Sequence, residues 1–148
     1  MGHISEILGR AKERGADLPY EGALLPEEAY SIFKTAPGAK LVDVRTRAEY
    51  DWVGRIPGSI HIEWLSYPGM QPNPHFLSQL LQQVDREALV LFICRSGHRS
   101  HSAASAAAQA GYTECYNVLE GFEGDKNQHA HRGKVNGWRF ANLPWEQG

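Results

Sequence analysis

The stretch from 88 to 111 constrains the architecture more tightly than any other part of the chain. An unbroken apolar run, ALVLFI at 88–93, leads directly into Cys94-Arg95-Ser96-Gly97-His98-Arg99, and this into an alanine-rich segment at 100–110 that Gly111 stops. An apolar run this short suits a strand covered on both faces. Alanine is the strongest helix former, and glycine is the natural residue just past a helix C-terminus. Strand, tight polar loop and helix in direct succession are the unit of a parallel sheet with right-handed crossovers.

The rest of the chain continues this alternation. Ser5 caps a helix over 5–14 that buries Ile7, Leu8 and Ala11 and stops at Gly15. Pro26-Glu27-Glu28 opens a second helix reaching about Phe33, because proline fits the first turn and acids favour its positive end. Lys40-Leu41-Val42-Asp43-Val44 predicts a strand with polar chemistry at its end, 48–52 a brief helical stretch, and 59–62 a further strand. Residues 64–74, with three prolines and a glycine, read as a loop. Phe76, Leu77, Leu80, Leu81 and Val84 form a helical stripe, and 114–118 is a last short strand. The segment 22–25 is too short to assign alone. The fold class expected is α/β, with a mainly parallel sheet.

Composition narrows the function. At 148 residues the chain has the size of one domain, and 42% hydrophobic with 22% charged residues supports a packed core. A formal net charge of −2 gives no broad cationic field, so neither nucleic acid nor a membrane surface is an expected partner. Two cysteines are too few for a disulfide scaffold, and the first residues lack an apolar signal core, so a cytoplasmic setting is expected.

Cys94 is the chemically significant residue. It stands at the C-terminal end of a buried parallel strand and just before a helix, where open α/β sheets place their ligand sites. Loop N–H groups, the positive helix end and nearby arginines all favour thiolate over thiol. Cys115 lies inside a strand without such a loop and reads as a buried structural thiol. Asp43 and Arg45 read as a strand-end ion pair bracing the loops around the site. His98 faces either the site or solvent. Trp64 and Tyr67 follow the strand at 59–62 and are expected to wall the mouth of the pocket. His129 and His131 lie in a polar stretch without cysteine or acidic partners suited to a metal, so no metal site is expected.

Taken together, Leu41-Val42-Asp43-Val44-Arg45, Glu49-Tyr50, Gly54-Arg55-Ile56-Pro57-Gly58-Ser59, the Cys94 loop and Gly111-Tyr112 resemble the rhodanese family of sulfurtransferases. The resemblance implies a rhodanese-like fold with a five-stranded, mainly parallel sheet flanked by helices on both faces. It spans about 22–124, which suggests an N-terminal helical extension at 1–21 and a rhodanese-like domain at 22–148 with a polar insertion near 125–137. It implies that Cys94 carries sulfur as a persulfide and that Arg95, Ser96, Gly97, His98, Arg99 and Ser100 bind the substrate. No cofactor is implied. The partners implied are a small anionic sulfur donor such as thiosulfate and an acceptor that is a thiol, cyanide or a protein. Related phosphatases and arsenate reductases place five residues between cysteine and arginine, whereas here four separate Cys94 from Arg99 and position 100 is serine. Sulfur transfer is therefore favoured over oxyanion chemistry, and a non-catalytic binding or redox-sensing module is the other alternative.

Overall fold

The computed structural model describes residues 2–147. Its elements are, in chain order, α1 (Gly2–Arg14), β1 (Gly22–Leu24), α2 (Pro26–Thr35), β2 (Lys40–Asp43), a π-helical turn (Glu49–Val53), β3 (Ile60–His61), β4 (Leu65–Ser66), β5 (Gln71–Pro72), α3 (Phe76–Gln83), β6 (Leu89–Ile93), α4 (His98–Gln109) and β7 (Glu114–Val118). One sheet of five parallel strands has the order β1-β7-β6-β2-β3. From β2 the chain moves outward to β3, and from β6 it moves outward to β7 on the other side. The C-terminal ends of β2 and β6 thus bound the crevice where such sheets bind ligands. Asp43 is in register with Ile93, which brings the residues after β2 beside Cys94.

The apolar run of β6 is continuous because both of its faces are covered. Val90 and Phe92 pack with Phe76 and Leu80 of α3 and with Ala103, Ala104 and Ala107 of α4. Leu91 and Ile93 point the other way, toward Ile7 and Ala11 of α1, Ala29 and Ile32 of α2, and Trp138. The α1–α2 contact is fixed at the surface: Glu28 accepts the Leu25 N–H at the start of α2 at 2.9 Å and also pairs with Arg14 at 2.7 Å. That hydrogen bond and ion pair hold the Glu28 carboxyl below its ordinary range, although burial pushes it up.

Two segments acquire structure that their composition hides. Residues 22–24 become the edge strand β1, paired with β7 from Gly22↔Tyr116 to Leu24↔Val118. The proline-rich 64–74 contains a small antiparallel hairpin, Leu65↔Pro72 and Ser66↔Gln71, with a cis peptide at Tyr67-Pro68. Asn73 closes its base, donating its N–H to Trp64 O at 3.0 Å and Nδ2 to Glu63 O at 2.7 Å. Pro72 fits because a two-stranded edge leaves its missing N–H unneeded.

The polar residues at 125–137 form a loop tied at its neck. Asn136 Oδ1 accepts the Asp125 N–H at 2.8 Å, Arg132 Nη1 donates to Gly124 O at 2.7 Å, and Trp138 N–H returns to Gly121 O at 2.9 Å. Trp138 then drops into the core fully buried.

Candidate active site

Cys94 follows β6 directly and is 1% exposed. Its Sγ accepts the Gly97 N–H at 3.1 Å, with Ser100 Oγ at 3.3 Å. Gly97 reaches this position with φ +106°, a conformation side-chain-bearing residues rarely adopt, and α4 begins immediately afterwards. The sulfur therefore sits over the N-terminal end of a long helix, where negative charge is favoured.

The loop is held from outside by its carbonyls. Phe122 N–H donates to Cys94 O at 2.8 Å, and Glu123 and Gly124 N–H groups donate to Arg95 O at 3.0 and 3.2 Å. Gly121 makes this approach feasible: at φ +68°, a Cβ there would lie 2.6 Å from the Arg95 carbonyl carbon and from Cys94 O. From β7, Asn117 Nδ2 donates to Gly97 O at 3.2 Å, and Asn117 Oδ1 lies 2.5 Å from Ser100 Oγ.

The loop's own side chains divide into distinct environments. Arg95 and His98 are exposed. His98 Nδ1 is 3.3 Å from Ser96 Oγ and faces the loop surface. Arg99 is committed to Glu49 through two charge-assisted bonds, Nη1 to Oε1 at 2.7 Å and Nη2 to Oε2 at 2.9 Å. Burial pushes the Glu49 carboxyl up, but Arg99 and the Thr46 donors outweigh it and hold the group at about 2. The guanidinium is thus neutralised by its partner, which leaves Arg95 as the loop cation without an ion pair among the described residues.

Asp43 and Arg45 are buried, with Arg45 Nη2 2.6 Å from Asp43 Oδ2 and 2.7 Å from Gly54 O. Arg45 also lies over the Phe122 ring at 4.3 Å, so the pair ties the end of β2 to the segment that pins the Cys94 loop. A cavity of about 350 Å³ opens beside the loop, bounded by Thr46, Glu49, Trp52, Tyr67, Met70 and Arg95. Tyr67 lines it. Trp64 packs edge-on against Phe76 at 5.0 Å and does not line it.

Sequence reasoning passed over Glu49, Asn117, Trp52 and Gly121 as site residues. Glu49 carried a usable signal, since Thr46-x-x-Glu49 is the pattern of a capping box. The structure forms that box, with Glu49 N–H to Thr46 Oγ1 at 3.2 Å and Thr46 N–H to Glu49 Oε1 at 3.2 Å. Asn117 had no local signal, because only the pairing of β7 with β6 brings it to the loop. Cys115, two positions before Asn117 on β7 and outside the site network, is a buried thiol that burial, reinforced by Glu114 and Glu21, pushes up to about 12. No group of His, Cys, Asp and Glu among the described residues is arranged to hold a metal, and no described helix is long and apolar enough to cross a membrane.

Comparison with known proteins agrees with this geometry. The family model of the rhodanese-like domain matches residues 25–128. The Rickettsia conorii protein RC0915 is 37% identical over 121 residues, covering 80% of this chain and 92% of its own. The thiosulfate sulfurtransferase GlpE of Pseudomonas aeruginosa is 30% identical over 100 residues, covering 68% of this chain and 79% of its own. The crystal structure of Rv0390 from M. tuberculosis superposes with a TM-score of 0.80 at 41% identity, over 87% of this chain and 99% of that one. With a parallel five-stranded sheet, a cysteine loop between its central strand and a helix, and a matched family model, the chain belongs to the rhodanese-like domain family.

Proposed function

We propose that this protein is a sulfurtransferase that moves sulfane sulfur from thiosulfate or a related anionic donor to a thiophilic acceptor through a Cys94 persulfide. The observation that carries the reading is the Cys94 sulfur itself, held beneath the Gly97 N–H and the start of α4 with Ser100 Oγ beside it. The similarity to GlpE supports the choice of donor.

In the first half-reaction the Cys94 thiolate attacks the outer sulfur of thiosulfate. The donor's S–S bond breaks, sulfite leaves with the electron pair, and Cys94 holds the transferred sulfur as an anionic persulfide. In the second, an acceptor thiolate or cyanide attacks that outer sulfur, and Cys94 departs as thiolate. Arg95 at the loop rim is the cation placed to meet the donor, because Arg99 is already paired. Trp52, Tyr67 and Met70 give the cavity apolar walls for an acceptor's body. The chemistry uses no metal or organic cofactor. Both free, buried thiols suit a reducing cytoplasm.

Intact-protein mass spectrometry tests the reading. Thiosulfate is expected to add the mass of one sulfur atom at Cys94, cyanide to remove it with release of thiocyanate, and Cys94→Ser to abolish both. An unmodified wild-type protein after thiosulfate, or equal loading of the variant, would overturn it. Protein that takes up no sulfur but forms a reversible Cys94 adduct with a partner would instead indicate a binding or redox module.

A further inference from the structure

Ser100 carries one hydroxyl proton and faces two acceptors. Its Oγ lies 2.5 Å from Asn117 Oδ1 and 3.3 Å from Cys94 Sγ. Ser100 is fully buried and Asn117 nearly so, so these groups depend on one another for their hydrogen bonds. The amide orientation of Asn117 is set independently. Its Nδ2 donates to Gly97 O at 3.2 Å, which turns Oδ1, an acceptor only, toward Ser100.

Two arrangements satisfy this triad. With Cys94 as a thiol, S–H donates to Ser100 Oγ and Ser100 donates its own O–H to Asn117 Oδ1. With Cys94 as a thiolate, the sulfur has no proton and becomes the stronger, charged acceptor, so the Ser100 hydroxyl turns to it. In the persulfide the negative charge moves to the outer sulfur, Sγ becomes a poor acceptor, and the hydroxyl returns to Asn117.

We propose that Ser100 and Asn117 form a hydrogen-bond selector, in which the Ser100 O–H donates to Cys94 Sγ only when that atom bears charge and to Asn117 Oδ1 otherwise. The selector acts most in discharge of the persulfide. There the acceptor nucleophile bonds to the outer sulfur, the S–S bond breaks, its electron pair collects on Sγ, and the Ser100 O–H turns to meet it. Ser100 is a catalytic residue in this step, and Asn117 is a positioning residue that keeps the hydroxyl aligned between turnovers. The discharge role rests on the sulfurtransferase reading; the thiolate role needs only that Cys94 be the reactive thiol.

Iodoacetamide alkylation of Cys94 against pH, read by peptide mass spectrometry, tests the selector without any sulfur transfer. The charged and titratable groups facing the triad stay constant across the series: Arg99 with Glu49 behind it, Asp43 and Arg45 at the end of β2, Arg95 and His98 in the loop, and Tyr20 with its hydrogen-bonded His101 beside Asn117. Ser100→Ala is expected to move the alkylation profile to higher pH, with about tenfold less reaction at a given pH below the midpoint, as for loss of one hydrogen bond to a charged group. Ser100→Thr restores it. Asn117→Asp, whose carboxylate accepts the Ser100 O–H more strongly, moves the profile the same way, and does so less in the Ser100→Ala background. A Ser100→Ala profile that matches wild type overturns the proposal. So does an Asn117→Asp effect of equal size in both backgrounds, which would mean that the new charge acts on the sulfur directly; if Asn117→Asp does not fold, the Ala and Thr variants at position 100 decide alone. Single-turnover discharge of preloaded persulfide to cyanide is expected to slow about tenfold in Ser100→Ala. Shifted alkylation in a protein that never takes up sulfur would sustain the selector and remove the sulfurtransferase reading instead.

Discussion

Replacing Glu49 by glutamine keeps the shape of the side chain and removes its charge, which isolates the Glu49–Arg99 pair from the rest of the site. Only 18% of the Glu49 side chain and 12% of Arg99 are exposed, and both Glu49 oxygens receive guanidinium N–H groups. Burial alone would raise the Glu49 carboxyl, yet its partners hold it at about 2 where an unperturbed group has 4.5. Because the folded value lies below the unfolded one, the pair stabilises the fold above pH 4.5, and this contribution is lost as pH falls toward 2. The difference corresponds to about 3 kcal/mol at neutral pH, and partial solvent screening brings it to about 2. Urea unfolding of wild type and Glu49→Gln should differ by that amount at neutral pH, a midpoint shift of about 1 M. The gap should narrow steadily as both proteins are taken toward about pH 3. The same substitution releases Arg99, so the KM for thiosulfate should fall. A stability gap that stays constant with pH would show that Arg99 does not hold Glu49 ionised. An unchanged KM would show that the pair does not withhold Arg99 from the donor.

Arg95→Ala should raise the thiosulfate KM by about fivefold or more and exceed the effect of Arg99→Ala in steady-state assays, as for loss of a hydrogen bond to a charged group; raising the salt concentration should matter less than removing Arg95, since contact interactions are screened least. Gly121→Ala, whose new Cβ would meet the Arg95 and Cys94 carbonyls at 2.6 Å, should lower both Tm and turnover. Cys115→Ser should retain turnover, and in wild type Cys115, pushed up to about 12, should alkylate far more slowly than Cys94 at neutral pH. Replacing 126–135 with a short Gly-Ser linker should leave the circular dichroism spectrum intact and change Tm little, because the neck bonds from Asn136 to Asp125 and from Trp138 to Gly121 remain.

What the sequence made legible follows the range of the forces involved. The apolar run at 88–93 identified a strand covered on both faces because period and continuity are local properties, and β6 has those neighbours. The position of Cys94 was equally local, since strand end, loop and helix start are consecutive residues. β1 was not legible: its residues become a strand only by pairing with β7, more than ninety positions away. The role of Arg99 was only half visible. Charge and proximity to Cys94 suggested an anion contact, whereas the guanidinium is paired with a carboxylate from a different segment. Trp52 shows the reverse problem, an exposed tryptophan that composition assigns to packing but the fold leaves on the wall of the cavity.

The distribution of charge in the loop also bears on which reaction this fold supports. Its carbonyls are occupied from behind: that of Cys94 by Phe122, that of Arg95 by Glu123 and Gly124, and that of Gly97 by Asn117. The Gly97 N–H is left to face the sulfur. A tetrahedral oxyanion would need, besides N–H groups, a guanidinium free to span two of its oxygens. Arg99 is spent on Glu49, and the next position is Ser100, whose hydroxyl reaches only the sulfur and Asn117. Arg95 is exposed at the rim, where on the proposed reading it meets the charged end of a donor whose outer sulfur is at Cys94. On that reading, one N–H directed at a single sulfur, one O–H shared between that sulfur and Asn117, and a cation set apart suit transfer of one sulfur atom better than enclosure of a phosphate.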